Sequence, residues 1–237
     1  VMNTDNMTIS GETIDYGPCA FMDHYNPKTV FSSIDQLGRY SFSNQPPITK
    51  WNLSRFAECL IPLIDKNEDK AIQLATEIID NFQNIYEEKW LNMMRDKLGL
   101  FGKSKDDKKL IDDLLTWMEK NKADYTNTFC YLMNVKIGNN SLYDDKEFIN
   151  WSKNWQNRIS INDNSKEKSL ELMKETNPVI IPRNHKVEEA LKAANEDNLE
   201  VMNKMLSKFD NPYDEQKDIE DYQLPSLDDN YQTFCGT

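Results

Sequence analysis

Several features that mark common functional sites are scarce in this sequence. Histidine occurs only at His24 and His185, and two isolated histidines are too few for a histidine metal cluster, so both are predicted to be structural. The four cysteines have no Cys-x-x-Cys spacing, which disfavours a zinc site. Cys59 and Cys130 fall in helical apolar patterns and are predicted to be buried.

Positive charge and long apolar runs are also lacking. The net charge is −12 and the pI is about 4.7, which argues against nucleic acid and against an anionic membrane as partners. No apolar run approaches the roughly 18 residues of a membrane span, and the first residues lack the regions of a signal peptide. The 237 residues are enough for one large domain or two small ones.

The first nineteen residues carry the strongest candidate site. Residues 7–9 and 13–14 favour extended structure, and Ser10-Gly11 between them favours a turn. A β-hairpin with this two-residue turn would place Asn6 opposite Asp15. Directly opposed residues have Cβ atoms about 4.5 to 5.5 Å apart, so a carboxamide and a carboxylate would come together.

That pair of oxygen donors suits one hard cation. Mg²⁺ usually takes one or two protein ligands and completes its shell with water and substrate phosphate. Asp5, next to Asn6, falls on the other side of the chain and is a candidate base for an acceptor hydroxyl. The alternative is an ordinary turn without a metal, because Asn, Asp, Ser and Gly are common turn residues.

The rest of the chain is predominantly helical in pattern. Helices are predicted at about 50–64, 68–98, 105–122, 125–135, 145–160, 165–176, 185–195 and 197–209. The apolar stripe of the 68–98 helix is predicted to be a core face, as are Trp151 and Trp155. Ser104 is the predicted N-cap of the helix at about 105–122, and the acidic Asp106 and Asp107 lie in the first turn of that helix.

The last third contains a short apolar run and an acidic tail. The run 179–181 is predicted to be a buried extended segment that positions Arg183, which could hold a phosphate, hold an acidic loop, or form a structural salt bridge. The tail 211–237 has few aliphatic residues, so it can be ordered only by lying on the body.

Short motifs along the whole chain resemble the selenoprotein O family of kinase-fold proteins. Asp15-Tyr16-Gly17 is also similar to the Asp-Phe-Gly of protein kinases, although the kinase loop separates its base and Asn by four residues and here Asp5 and Asn6 are adjacent. The family motifs are residues 1–9, Thr13-Ile14-Asp15-Tyr16-Gly17-Pro18, 30–35, Gly38-Arg39-Tyr40, Asn44-Gln45-Pro46, 51–55, 181–185, 187–190 and Cys235-Gly236-Thr237.

The resemblance implies a fold, a division into segments and a set of roles. The expected fold is mainly α with a small β-hairpin: the C-lobe of a protein-kinase-like fold at 1–135, a helical extension at 136–210, and the tail at 211–237. Asp5 resembles the general base, and Asn6 and Asp15 resemble ligands of Mg²⁺ or Mn²⁺, with Asp15 contacting ATP through the metal. Residues 19–48 resemble an activation loop, and an N-terminal lobe of the same protein is expected upstream.

The implied activity is transfer of AMP from ATP to Ser, Thr or Tyr hydroxyls of proteins. Cys235 resembles the family's selenocysteine position, and a redox-regulated disulfide between Cys19 and Cys235 is the matching hypothesis, with two free thiols as the alternative. Two other functions stay open: phosphoryl transfer from the same site, and a catalytically silent helical interaction module. The expected compartment is the cytoplasm in a bacterium or the mitochondrion in a eukaryote.

Overall fold

The protein is described by a computed structural model covering residues 1–14, 20–138, 141–161 and 165–226. Within these ranges it consists of α-helices and short 3₁₀ helices, and the only β-type pairings are the isolated bridges His24 to Asp124 and Val30 to Ser41. The chain divides into two compact units. The described part of the first is 1–14 with 27–90, and that of the second is 20–26 with 91–226.

The first unit contains two complete helices and most of a third. They are α1 (Gln45–Ile64), α2 (Glu68–Asp80) and α3 (Phe82–Lys97), whose last seven residues belong to the second unit. The prediction of one helix over 68–98 was wrong, because the backbone breaks at Asn81. This residue ends α2 with its N–H bonded to the Glu77 carbonyl, and its side chain accepts a bond of 3.2 Å from Asn84.

The predicted core face of the 68–98 region was also largely wrong. Among the described apolar residues of the first unit, Ala71 alone is buried. Leu74, Ile78 and Ile85 belong to the predicted stripe, yet they are exposed by 39%, 73% and 52%, whereas Met94, in the part of the stripe that belongs to the second unit, is buried as predicted. The periodicity correctly indicates an amphipathic helix, but its packing on α1 within the first unit leaves most of its large apolar side chains exposed.

The second unit holds the hydrophobic core. Its remaining helices are α4 (Asp107–Lys120), α5 (Tyr125–Leu132), α6 (Lys146–Ser160), α7 (Lys166–Thr176), α8 (Asn184–Asn195), α9 (Glu200–Phe209) and α10 (Glu220–Gln223). The prediction that Trp151 and Trp155 are core residues is confirmed. Both are buried, and their indole N–H groups donate to the carbonyls of Leu110 and Leu98 at 2.8 and 2.9 Å.

A buried ion cluster fixes the start of α4. Asp107 is fully buried and accepts bonds of 2.6 Å from the Nε atoms of both Arg95 and Arg158. Although burial raises the pKa of Asp107, the bonds from the two arginines lower it below its usual value overall. The N-cap is Asp106 and not Ser104 as predicted; Ser104 lies two residues earlier, where its hydroxyl oxygen accepts the Asp106 N–H at 3.3 Å.

The described part of the tail lies on the second unit, as the composition required. The Pro212 carbonyl accepts the Val179 N–H at 2.8 Å, and Ile219 and Tyr222 are buried. The apolar run 179–181 is buried as predicted. In the described ranges, no helix combines the length and the apolar character needed to cross a membrane.

Candidate active-site turn

The candidate catalytic residues lie on one short turn. Thr4–Asn6 form a 3₁₀ helix, in which the Asn6 N–H bonds to the Asn3 carbonyl at 3.1 Å. Asp5 and Asn6 are both exposed. Asn6 donates from Nδ2 to the Val1 carbonyl at 2.9 Å, so its Oδ1 is the atom that would bind a cation. The turn therefore presents a carboxylate and an amide oxygen side by side.

This turn is attached to α1 by side-chain hydrogen bonds. Asn52, only 5% exposed, donates to the Met2 carbonyl and accepts from the Thr4 hydroxyl, both at 2.8 Å. Gln45 accepts the Met2 N–H at 2.9 Å. Among the described residues of α1, Asn52 is the buried one, so the helix uses its best-protected position to hold the turn.

The predicted hairpin is not present in the described residues. Gly11, at φ +72°, donates its N–H to the Thr8 carbonyl at 3.1 Å, so the reversal is centred on Ile9-Ser10 and not on Ser10-Gly11. The Thr8 hydroxyl bonds to the Glu12 carbonyl at 2.9 Å. Such local side-chain bonds, together with the 3₁₀ turn at Asn6, compete with a strand ladder and explain the difference.

The predicted opposition of Asn6 and Asp15 cannot be read from this turn, because Asp15 lies outside the described residues. Among the described residues, no three acidic, histidine or cysteine side chains form a group that could hold a metal ion. The amide oxygen of Asn6 nevertheless fits the chemistry of Mg²⁺ or Mn²⁺, which accept few protein ligands when water and phosphate supply the others.

A second cluster holds segment 20–26 in place. Arg183 is fully buried and bonds through Nη1 to Asp23 and to Asp124, both at 2.6 Å. Its other bonds reach Asp124 and the carbonyls of Tyr222 and Gln223. These contacts engage all its donors, so Arg183 forms the salt bridge with an acidic segment, and the phosphate-binding alternative was wrong.

The electrostatics of this cluster follow from its burial. Burial alone would lower the pKa of Arg183, but the carboxylates of Asp124 and Asp23 raise it above its usual value. Burial raises the pKa of Asp124, and Arg183 opposes that rise. Asp23 also accepts the Ser226 N–H at 2.9 Å, so the cluster joins segment 20–26, the start of α5 and the tail.

Comparison with known proteins identifies the family. The family model described as protein adenylyltransferase SelO matches residues 1–210. The chain belongs to the SelO family. A protein nucleotidyltransferase YdiU of Pelagibacter ubique is 61% identical over 239 aligned residues, which cover the whole chain and 50% of that relative. Relatives of the same name in Bacillus cereus and Clostridium beijerinckii are 52% identical over the whole chain and 49% of their own length.

The chain therefore spans about half the length of these curated SelO-family relatives. Family membership confirms the resemblance noted from the sequence motifs. The positioning residue Asn52 was not singled out by sequence reasoning, although it lies within one of the motifs that carried the resemblance. A polar residue in the middle of an apolar helical stripe is the signal that could have identified it.

The predicted burial of the cysteines in this SelO-family chain was confirmed for one residue and wrong for another. Cys130 is buried as predicted, and burial raises its pKa to about 12. Cys59 is exposed, so the prediction that it is buried was wrong; it lies on a helix whose apolar side is itself largely uncovered. Cys19 and Cys235 lie outside the described residues. The histidines are consistent with structural roles: burial lowers the pKa of His185, and the backbone of His24 pairs with Asp124.

Proposed function

We propose that this chain carries the base and metal-binding segment of a metal-dependent protein adenylyltransferase that moves AMP from ATP to Ser, Thr or Tyr hydroxyls of proteins. Membership of the SelO family and the nucleotidyltransferase names of its relatives support the reaction class. The structural observation that supports the site is the exposed Asp5 and Asn6 pair, held on a turn that Asn52 anchors.

The proposed roles are those of one general base and two metal ligands. Asp5 accepts the proton of the acceptor hydroxyl, whose oxygen forms a bond to the α-phosphorus while the bond to the leaving pyrophosphate breaks. Asn6 and Asp15 would hold Mg²⁺ or Mn²⁺, and the ion would supply charge stabilisation to the ATP phosphates. In such transfers positioning and charge stabilisation provide most of the rate, which is why the anchoring of the turn matters.

Phosphoryl transfer is the second candidate, because the same base and ligands would serve attack at the γ-phosphorus. The two reactions are separated by incubating the full-length protein and an acceptor with ATP labelled at either the α or the γ phosphate. The proposal expects label on protein only from the α position. Retention of γ label alone would exclude AMP transfer.

Variants test the assigned residues and the third candidate, a silent interaction module. Asp5→Asn and Asp15→Ala should each lower α-label transfer at least 100-fold, because the base or a metal ligand is lost. Asp112→Asn, an exposed acid of α4 paired with Lys108 at 3.2 Å, is the matched control and should retain activity. Unchanged function of Asp15→Ala in cells would instead support the silent module.

The redox proposal pairs Cys19 with Cys235. Asp23, four residues after Cys19, accepts the Ser226 N–H, so described residues near both cysteines lie together, and the nine residues from 226 to 235 can span about 30 Å. Closing so long a loop would stabilise the chain by about 5 kcal/mol in the entropy model. Intact mass should show a loss of two hydrogens on oxidation, and peptide mapping should pair these two cysteines. Pairing of other thiols would reject the bridge.

This proposal also includes the segment boundaries at 135 and 210, the kinase-like C-lobe and location in the cytoplasm. It includes the partnership with an N-terminal lobe of the same protein as well. Because the chain alone has no glycine-rich phosphate loop, we expect negligible ATP affinity for it. Isothermal calorimetry checks this, and a micromolar dissociation constant would contradict it.

A further inference from the structure

The first unit exposes an apolar surface on two neighbouring helices. Leu63 at the end of α1 is 81% exposed, and Ile72 and Ile78 on α2 are 46% and 73% exposed. Phe56 and Leu74 add exposed fractions of 40% and 39%. We call these five exposed side chains together the α1–α2 face. Large exposed apolar side chains concentrated on two packed helices mark an interaction site more often than single residues scattered over a surface do.

A groove of about 920 Å³ also runs between these two helices; Ile72 lines it, and the other four residues of the α1–α2 face lie outside it. Its apolar lining includes Ala57, Ile61, Ala75 and Ile79. Charged residues of both signs surround it, including the pair Lys50 and Asp80 at 3.3 Å. An apolar centre with a mixed charged rim is the usual anatomy of a protein–protein interface. It does not suit an anionic membrane surface, which would favour clustered basic residues.

The contrast between the two units shows that this face is incomplete. The second unit buries aromatic and aliphatic side chains on α4, α5 and α6, whereas Ala71 is the buried apolar residue among the described part of the first unit. A helix pair with apolar stripes must bury them against another layer to be stable. Among the described residues of the first unit, none supplies that layer.

The length of the relatives indicates what could cover the α1–α2 face. Each is about twice as long as this chain, so a stretch of similar size has no counterpart here. A second copy of this chain is a weaker candidate, because two copies with a net charge of −12 each repel one another. We propose that the α1–α2 face is the docking surface for the half of the SelO polypeptide that this chain does not match, which binds through an apolar face of its own.

This inference does not depend on which group the enzyme transfers. The docked half would cover α1, and α1 holds the turn of Asp5 and Asn6 through Asn52. Docking would therefore complete the support beneath the candidate site. Assembly can nevertheless be measured without activity, so failure of AMP transfer and failure of docking are distinct outcomes.

The test is co-expression of this chain with the unmatched half of the Pelagibacter ubique relative as two separate polypeptides, the second carrying an affinity tag. We expect the two to purify together in equal amounts, and amide hydrogen exchange in α1 and α2 to slow at least tenfold relative to the chain alone. Ile78→Asp and Leu63→Asp should each reduce the recovered chain at least tenfold. Both side chains are exposed, so neither substitution should disturb the fold of the chain itself, which circular dichroism checks.

Ile161→Asp is the matched control, because Ile161 is 76% exposed but lies in the second unit. It should leave co-purification within twofold of the wild type. The proposal is overturned if the halves do not purify together, or if Ile78→Asp and Leu63→Asp purify as well as the control. Dimers of the chain alone that Ile78→Asp abolishes would also overturn it, since a second copy would then be the occupant.

Discussion

Replacing Arg183 by methionine is the sharpest test of how segment 20–26 is held. The side chain is fully buried, and methionine fills a similar volume without the charge. The change removes the bonds to Asp23 and Asp124 and leaves both carboxylates without their cation. The carbonyls of Tyr222 and Gln223 lose a donor at the same time.

The expected cost is large. Removing one partner of a buried ion pair typically destabilises a protein by 3 to 5 kcal/mol, because an uncompensated charge remains. Whole domains are stable by roughly 5 to 15 kcal/mol, so Arg183→Met should remove a substantial fraction of that stability. Lys186→Met is the matched control: its pair with Glu189 at 3.0 Å is on the surface, and such pairs contribute about 0 to 1 kcal/mol.

The loss should depend on pH with a defined sign. Burial raises the pKa of Asp124 while Arg183 opposes the rise, so the variant should show a still higher pKa. A carboxyl whose pKa is higher in the folded than in the unfolded state favours folding below the unfolded value of about 3.9 and loses that contribution as pH rises through the folded value. The deficit of the variant should therefore grow between about pH 5 and pH 7.5.

Urea unfolding monitored by tryptophan fluorescence at these two pH values measures both effects. Trp117, Trp151 and Trp155 report on the second unit. A further Asp124→Asn substitution in Arg183→Met should recover part of the stability, because it removes the unpaired charge. A deficit under 1 kcal/mol at pH 7.5, or one that does not shrink on acidification, would refute the reasoning.

Four further outcomes follow from single side chains. The free energy of unfolding should fall as pH drops below about 3.9, because the pKa of Asp107 is lowered in the fold, and Asp107→Asn should weaken that dependence in acid titrations. Burial lowers the pKa of Lys97 to about 8, so an NMR titration of its Nζ should give a midpoint near that value, and stability should rise between it and about pH 10.4. A thiol reagent should label exposed Cys59 in the native state but Cys130 only after unfolding, and equal native rates would contradict the burial. Asn52→Leu should increase hydrogen exchange at residues 2–6 and lower transfer activity of the full-length protein, whereas unchanged exchange would mean that the turn is held in another way.

Helix positions in the second unit could be predicted because apolar periodicity and burial agree there. Phe148, Trp151, Trp155 and Ile159 recur at helical intervals, and all four are buried. The buried ion cluster at Asp107 could not be predicted in the same way. An acidic residue in a first helical turn suggests an interaction with the helix dipole, and nothing local shows that Arg158, 51 positions later, will meet it.

The candidate site was predicted only in part for a similar reason. The adjacency of Asp5 and Asn6 is a property of the sequence, and their common turn follows from it. The support from Asn52 joins residues 48 and 50 positions apart, which no periodicity encodes. The hairpin failed because Thr8 and Asn6 satisfy backbone groups locally, and strand propensity alone does not account for that competition.

The apolar stripe of α2 was predicted to be buried, and its exposure is the basis of the docking proposal. Ile78 and Leu74 follow a pattern that normally means burial, yet they face solvent in the described structure. Burying one exposed isoleucine or leucine side chain contributes about 1.5 to 3 kcal/mol. If the α1–α2 face is covered in the longer polypeptide, then the pattern predicted the environment of these residues in the assembled protein. The same covering would stabilise α1, and through Asn52 the turn that carries Asp5.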